Sequence, residues 1–431
     1  MRRVRLFLSL SLVAVSLMTV SFMIVLPASA ADRSPLEKEL PEWMSVGIES
    51  RWRAEGQHSI GFKDGNSDDF LLMRNRVSLG LKPTHYLQLH FMGQDARSAG
   101  QDRPNGSYKD TFDLREAYVT VGTEASWWHV KVGRQPLSYG SQRVIGAADW
   151  LNSARVFDAA KLTLGHAKDS VDVFTASVVE NDMDRWDHHR QGNNLHGAYA
   201  SLGSLLPGSK VEPYLLYRTN HLTLGNSWTT GLRSAGDLSD KWSYEAEGIT
   251  QHGRTRPAQN LSAWAAMAQI QRHFHNVIWQ PSLVGEANYA SGDRKQGDGK
   301  TNTYDQLYPT NHSIYGIADQ IGRSNTRQVR GGIWLHPRKW LTLKTEGHSF
   351  WLASRFDGLY GVTGAQAIAP VAGGAQSSHV GSEFDISAEA KPSRYYVLGA
   401  QYGHFFAGDF VQQNSPGAHP GFYAFYLDFR M

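Results

Sequence analysis

The strict alternation of apolar and polar side chains is the feature that most constrains this fold. In residues 45–55 (SVGIESRWRAE), Val46, Ile48 and Trp52 share one parity. The opposite parity carries four charged residues, namely Glu49, Arg51, Arg53 and Glu55. Successive side chains of a β-strand point to opposite faces. The pattern therefore predicts a strand with one apolar face and one wet face.

The same alternation recurs along the chain and predicts an all-β protein. It is clearest in residues 71–83, 85–94, 127–133 and 339–351, and clusters of Gly, Pro, Asn, Asp and Ser separate such segments. These are strand and hairpin signals. Compact turns are predicted at 82–85, 206–210, 236–241, 336–339 and 391–394, and long polar connections at 95–110, 179–194, 291–316 and 358–381. Short turns at one end and long loops at the other are typical of transmembrane antiparallel β-barrels.

The apolar and aromatic residues favour a barrel that crosses a membrane. Beyond the N-terminus no apolar run approaches the roughly 20 residues of a membrane helix, whereas a barrel strand needs only about 9–11. The chain has 13 Trp, 18 Tyr and 18 Phe, many near predicted strand ends, as in the aromatic girdles of such barrels. At about 20–25 residues per strand and connection, the chain supplies roughly 16–18 strands. A barrel of that size leaves an aqueous channel.

The N-terminus is predicted to be a secretory signal peptide, residues 1–30. Arg2, Arg3 and Arg5 precede an apolar run, and PASA (27–30) offers small residues for cleavage. An uncleaved membrane anchor is the alternative. Residues 31–431 are predicted to form a single barrel domain in the outer membrane of a Gram-negative bacterium.

Charge and cysteine content exclude other classes. Removing the three arginines of the signal peptide lowers the Lys and Arg count from 43 to 40, which equals the 40 Asp and Glu. A neutral chain gives no support for nucleic-acid binding. The absence of cysteine excludes disulfides and thiolate metal sites.

The last residues, GFYAFYLDFRM (421–431), have the strongest alternation. One parity is aromatic or apolar throughout, with Tyr423, Phe425 and Phe429 among its members. This resembles the C-terminal assembly signal of outer-membrane barrels, with Met431 where Phe is usual. The barrel-assembly machinery is therefore a predicted partner.

Several segments resemble the alginate-export family of outer-membrane β-barrels. They are DLREAYVTVG (113–122), residues 130–162 with a GRQ turn and an Asp/Trp/Asn segment, 304–325, 348–351, 380–396 and 402–411. The resemblance covers most of residues 45–431. It implies 18 strands and a positively charged lumen. The partners it implies are outer-membrane lipid and an anionic polysaccharide (alginate-like) or a small-molecule solute.

Charged residues on the wet parity are predicted to line the lumen, because a lipid-facing Arg near the bilayer midplane costs about 2–4 kcal/mol. Rings of Arg and Lys favour anions, and Arg can grip a carboxylate bidentately. The predicted basic pathway residues are Arg51, Arg53, Arg74, Arg76, Arg115, Lys131, Arg134, Arg330 and Lys344. The parity of Arg115 and of Arg134 is ambiguous from the sequence. The predicted acidic partners are Glu49, Glu55, Glu116 and Glu346. Internal salt bridges that select nothing are the alternative interpretation.

Other constellations give no site prediction. Residues 187–190 (DHHR), expected in a loop, and His273 with His275, expected on a strand, lack a further residue at metal-ligand spacing. The Asp-rich segments 64–69 and 291–300 lack the bidentate Glu of a calcium loop. No metal, cofactor or catalytic residue is predicted, and the protein is not expected to be an enzyme.

The leading functional prediction is an outer-membrane channel that passes an anionic polysaccharide or small anionic solutes. A nonspecific porin, or one for sugars or aromatic solutes, is the main alternative. An outer-membrane hydrolase and a soluble periplasmic all-β protein are further alternatives, and no sequence motif nominates a nucleophile for the former.

Overall fold

The computed structural model describes residues 38–166 and 168–431, and the predicted signal peptide lies outside them. Eighteen strands build its main sheet. They are β1 (Met44–His58), β2 (Asp68–Thr84), β3 (Leu87–Ala99), β4 (Asp110–Gly122), β5 (Trp128–Gln135), β6 (Phe157–His166), β7 (Asp169–Glu180), β8 (His188–Leu206), β9 (Ser209–Asn220), β10 (Gly225–Ser239), β11 (Trp242–Arg256), β12 (Gln259–His273), β13 (Ser282–Ala290), β15 (Thr326–Arg338), β16 (Leu341–Leu352), β19 (His379–Ser393), β20 (Tyr396–Ala407) and β21 (Gly421–Arg430).

The sheet closes on itself as a barrel. Each strand pairs antiparallel with its neighbours in chain order, and β1 pairs with both β2 and the last strand, β21. The closing register places Glu49 opposite Arg430 and His58 opposite Gly421. The predicted all-β barrel is therefore confirmed, with the 18 strands that the family resemblance implies.

The connections contain a few short elements. These are a 3-10 helix (Ile60–Phe62), β14 (Lys300–Thr301), the hairpin β17 (Leu359–Tyr360) with β18 (Gln366–Ile368), and α1 (Asp409–Asn414). β14 pairs parallel with β12 near its start. Within residues 38–166 and 168–431, no helix has the length and apolar character needed to cross a membrane.

On β1 and β21 the alternation predicts correctly which side chains face outward and which face inward. On β1, Trp52 is 41% exposed on the outer surface, whereas its neighbour Arg53 is 1% exposed inside the barrel. On β21, Phe425 is exposed and Ala424 is fully buried. The apolar parity therefore faces outward, where a membrane would lie, and the charged parity faces inward.

The two ends of the barrel differ as predicted. The short-turn end carries tight connections, such as residues 85–86, 207–208 and 394–395. The long-loop end carries the connections 136–156, 291–325 and 353–378, which are much longer. In outer-membrane barrels the short turns face the periplasm.

Some strands extend further into polar sequence than predicted. β3 runs to Ala99, β4 starts at Asp110 and β8 starts at His188, so the segments predicted as long loops at 95–110 and 179–194 are partly strand. The segment 187–190, expected in a loop, therefore lies mostly on β8. His273 ends β12, and His275 lies in the turn beyond it. Strands that project past the bilayer meet water on both faces, so they lose the alternation that identifies them.

The lumen is not aqueous along its whole length, which differs from the sequence expectation. At the long-loop end, residues from 136–156 and 291–325 pack against inward-facing side chains of the wall. This buried apolar cluster includes Leu137, Ile145 and Tyr304 from the loops and Phe174, Leu195 and Ile249 from the strands. The loops bury their apolar side chains inside the barrel, which narrows the aqueous path.

Candidate functional site: the arginine cluster and the inner loop

The connection 136–156, here called the inner loop, lies against the inside of the first four strands. Its main-chain carbonyls are satisfied by arginines of the wall. Arg51 donates to Asp149 O at 2.8 Å, Trp150 O at 3.1 Å and Leu151 O at 3.1 Å. A carbonyl outside regular structure needs a donor when it is buried, and a guanidinium offers five N–H groups. Arg51 is therefore an anchor for the inner loop.

Three more of the predicted arginines bind the same loop. Arg53 donates to Trp150 O at 2.6 Å, and Arg115 donates to Ser153 O at 2.9 Å. Arg74 donates to Asp149 O at 3.1 Å. All are almost completely buried. Their side chains lie inside the barrel, where their main contact is with the inner loop rather than with an open pore.

Asn152, a residue of the inner loop, binds main-chain carbonyls outside that loop. Its amide group donates to Met73 O at 3.1 Å, Arg97 O at 3.1 Å and Tyr108 O at 2.9 Å. Asn152 is fully buried. The sequence places it in the Asp/Trp/Asn segment that resembles the family, and gives no signal for this anchoring contact.

Carboxylates balance part of the arginine charge. Glu49 accepts from Arg74 Nε at 3.0 Å, and Asp149 lies 3.0 Å from Arg76 Nη1. Burial raises the pKa of Asp149, but the neighbouring Arg74 and Arg76 guanidinium groups outweigh burial and hold that pKa well below its ordinary value. Asp149 thus stays ionised inside the lumen.

Glu55, the second predicted acidic partner on β1, pairs with Arg53 at 2.9 Å. In the described part of the chain, neither Arg51 nor Arg115 has a carboxylate oxygen within 4.0 Å. We call Arg51, Arg53, Arg74, Arg76 and Arg115 the arginine cluster. Its five cations face three close carboxylates, which are Glu49, Glu55 and Asp149. By these direct contacts the arginines outnumber the carboxylates by two, and Asp428, which lies opposite Arg51 on β21, offsets part of that excess.

A β-bulge in β4 determines which face Arg115 occupies. The register of β4 against β3 pairs Met92 with Glu116 and Gly93 with Leu114, so Arg115 has no partner of its own. One extra residue in a strand can send two successive side chains to the same side. Arg115 is buried in the lumen, and the adjacent Glu116 approaches His90 at 3.5 Å. A rule of strict alternation would have placed Arg115 and Glu116 on opposite faces of β4.

Lys131 and Arg134 occupy different surroundings. Lys131 lies over the ring of Tyr118 at 4.4 Å. Arg134 shares the parity of the exposed Trp128 and Val132, and its Nε lies 2.8 Å from Asp158. This position differs from the lumen placement predicted for Arg134. The carbonyls of residues 114 and 187 accept its other N–H groups at the long-loop end.

Arg330, Lys344 and Glu346 lie on β15 and β16, and three strands (β19, β20 and β21) separate β16 from β1 around the barrel. Arg330 bonds Glu286 and lies 3.7 Å from Glu346. Lys344 lies over the ring of Trp334 at 4.3 Å, and the indole of Trp334 donates to Glu346 at 3.0 Å. The nine predicted bases therefore form two groups, seven on β1, β2, β4 and β5 and two on β15 and β16, and Arg134 has the outward parity.

A cavity of about 550 Å³ opens toward the short-turn end, and we call it the vestibule. Its charged lining residues are Arg51, Arg330, Lys344, Lys391, Arg430, Asp149, Glu346, Asp385, Glu389 and Asp428. Trp150 and His312 also line it. The vestibule thus connects the short-turn end of the lumen with the arginine cluster.

The connection 291–325 folds inward as well and meets the inner loop at an aromatic stack. Trp150 stacks on His312 at 4.1 Å, with the ring planes 3° apart, and the guanidinium of Arg53 lies 3.9 Å from the Trp150 ring centre. Backbone N–H groups of Ile317 and Ala318 donate to Asp385 and Glu383 on β19. The sequence analysis did not predict that these residues pack inside the barrel. The apolar residues within this predicted polar loop could have indicated it.

Trp150→Ala is expected to loosen the contact between the two inward connections. It removes a desolvated cation–π contact worth about 2 kcal/mol and an aromatic pair worth about 0.5–1.5 kcal/mol. Single-channel recordings should show increased open-channel noise and more frequent substates. Trp150→Phe keeps a ring and serves as the control. Equal noise in the alanine variant and the native protein would contradict the role given to the stack.

The fold and the lumen define this chain as an outer-membrane β-barrel channel. The sequence matches the model for alginate export over residues 42–424, and the chain belongs to the alginate-export family. Comparison with curated proteins found no match.

Solved outer-membrane channels share the architecture. OccAB2 of Acinetobacter baumannii is 8% identical, with 90% of this chain and 98% of that chain covered at a TM-score of 0.62. OpdO of Pseudomonas aeruginosa is 12% identical, with 92% and 99% covered at a TM-score of 0.61. OccK9 (OpdG) of the same organism is 11% identical, with 90% and 98% covered at 0.62. At these identities the likeness concerns the fold.

Proposed function

We propose that this channel passes small anionic solutes, and that the arginine cluster attracts them at the narrow part of the lumen. The observation that carries the proposal is that, among the described residues, the five arginines have only three carboxylates within 4.0 Å. Arg51 belongs to this cluster and also lines the vestibule. A cation inside a low-dielectric constriction acts on a passing anion more strongly than it does in bulk water.

The size of the open space supports a small solute. The vestibule has a volume of about 550 Å³, within the range of sites that hold a single small molecule. The two inward connections fill much of the lumen beyond it. An extended polymer would need those connections to move aside.

An anionic polysaccharide is the second candidate, and the match to the alginate-export family favours it. Swelling of proteoliposomes separates the two. Glucuronate and glucose are similar in size and differ in charge, so the proposal expects faster entry of glucuronate. Long oligouronates should enter slowly or not at all. Equal rates for glucuronate and glucose would contradict anion attraction, and rapid entry of the long oligomers would support the polymer.

Charge removal in the vestibule is expected to weaken anion preference. The native channel in a planar bilayer under a KCl gradient should give a reversal potential on the anion-selective side. Lys344→Ala with Arg430→Ala should shift that potential toward zero, because both residues line the vestibule and lumen substitutions tune selectivity. The control is Lys63→Ala, at an exposed position in the connection after β1. A cation-selective native channel would overturn the proposal.

A further inference from the structure

Three carboxylates converge at the long-loop end of the barrel, outside the vestibule and the arginine cluster. Asp110 and Asp113 lie at the start of β4, and Asp187 ends the connection between β7 and β8. One oxygen from each lies within 4.8 Å of the other two. Asp110 and Asp113 are 1% and 2% exposed. Three carboxylates this close repel one another unless a cation or protons balance them.

The hydrogen bonds of the cluster leave capacity for a ligand. Asp110 Oδ2 accepts from Gln94 Nε2 at 3.0 Å, but in the described part of the chain Asp110 Oδ1 is buried without any hydrogen-bond partner. A buried carboxylate oxygen without a partner costs free energy that a bound cation would recover. This unpartnered oxygen is independent of the clustering itself and points to a missing positive ligand.

The other two carboxylates are held in place by the main chain. The backbone N–H groups of Leu114 and Asp187 donate to the two oxygens of Asp113. Asp187 Oδ1 accepts from the N–H of Asp182 at 2.8 Å. Each carboxylate oxygen has a second lone pair available after one such bond. The geometry of the cluster is therefore fixed before any ion binds.

The nearby arginines neutralise the cluster only in part. Arg134 Nη1 lies 4.0 Å from Asp113 Oδ1, and its Nη2 donates to the carbonyl of Asp187 at 3.2 Å. Its Nε and Nη2 are also bonded to Asp158. Arg115 also acts on Asp110, although its guanidinium donates to the carbonyl of Ser153. Two cations that are engaged elsewhere face three carboxylates, so a negative excess remains.

We infer that Asp110, Asp113 and Asp187 form a binding site for a divalent cation of the calcium type. Ca²⁺ takes oxygen ligands in flexible geometry, and extracellular sites commonly bind it at about 10⁻⁴–10⁻³ M. The bound ion ties the start of β4 to the connection 181–187. These two segments already meet where the N–H of Thr111 donates to the carbonyl of Met183. The site therefore stabilises the shape of the channel mouth.

Terbium luminescence tests the site on full-length protein refolded in detergent without lipopolysaccharide, which would bring its own cations. Trp186 adjoins Asp187 and is 67% exposed, so it can sensitise Tb³⁺ bound there. The native protein should give a sensitised signal that Ca²⁺ displaces. Asp187→Asn, a change in a connection that leaves the barrel strands intact, should weaken Tb³⁺ binding by about tenfold. Asp110→Asn should do the same.

Asp184→Asn is the matched control, since Asp184 lies in the same connection but pairs with Lys109 at 2.8 Å instead of joining the cluster. The thermal midpoint gives a second readout, because an ion that binds only the folded state raises it. Millimolar Ca²⁺ should raise the midpoint of the native protein and of Asp184→Asn, but not that of Asp187→Asn. Absence of a sensitised signal, or equal Tb³⁺ affinity in all variants, would overturn the site.

Discussion

Replacing Arg51 and Arg53 together by alanine is expected to raise the single-channel conductance severalfold. The two guanidinium groups donate four hydrogen bonds to carbonyls of the inner loop. Hydrogen bonds to charged groups contribute about 1.5–3 kcal/mol each, so the loop loses a large part of what holds it inside the barrel. A loop that leaves the wall widens the path for ions.

The same substitution also removes two positive charges, which would lower anion conductance if the loop stayed in place. The two effects have opposite signs, so the direction of the change identifies the dominant role of these arginines. A double lysine variant separates them further, because lysine keeps the charge but lacks the planar fork of donors. We expect its conductance to rise as well.

Arg97→Ala is the control for the loss of an arginine, since Arg97 is exposed and pairs with Asp95 on the outward parity of β3. Heat-modifiable migration on gels verifies that each variant forms a barrel. A conductance equal to or below the native value in the alanine variant would show that the inner loop does not depend on Arg51 and Arg53.

Ile386→Arg should lower the free energy of unfolding by about 2–4 kcal/mol, the cost of an arginine facing lipid near the bilayer midplane. Ile386 lies at the centre of β19 and is exposed on the outer surface. Its neighbour Ser387 lines the vestibule. Ser387→Arg therefore adds the same side chain one residue away, but on the wet face.

Urea unfolding in phospholipid vesicles measures both variants under the same conditions. Ser387→Arg is expected to change the free energy of unfolding by less than about 1 kcal/mol, since a solvated surface substitution is usually mild. Its effect should appear instead in the reversal potential. Similar destabilisation by the two variants would contradict the assignment of an outer lipid face and an inner aqueous face to β19.

The faces of the strands could be predicted from the sequence because the period of a strand is two and one side of a barrel wall is apolar. That rule placed Arg51, Arg53, Arg74 and Arg76 inside the barrel. It did not determine which face of the strand Arg115 occupies, because a bulge changes the parity within β4. Bulges depend on the register with the neighbouring strand, which a single strand sequence does not contain.

The inward course of the inner loop could not be predicted in the same way. Its anchors pair residues about a hundred positions apart, such as Arg51 with the carbonyl of Leu151. A main-chain acceptor is present at every residue, so it leaves no trace in the amino-acid sequence. The cluster of Asp110, Asp113 and Asp187 was missed for a related reason, since three strands, β5 to β7, lie between Asp113 and Asp187 along the chain.

Main-chain anchoring has a consequence for how this channel can change over evolutionary time. Arg51, Arg53 and Arg115 hold carbonyl groups, which persist whatever side chain the loop residue carries. Many loop positions can therefore be substituted while the loop keeps its place. The arginines of the barrel wall can therefore stay unchanged while point mutations in the loop alter which solutes the channel prefers.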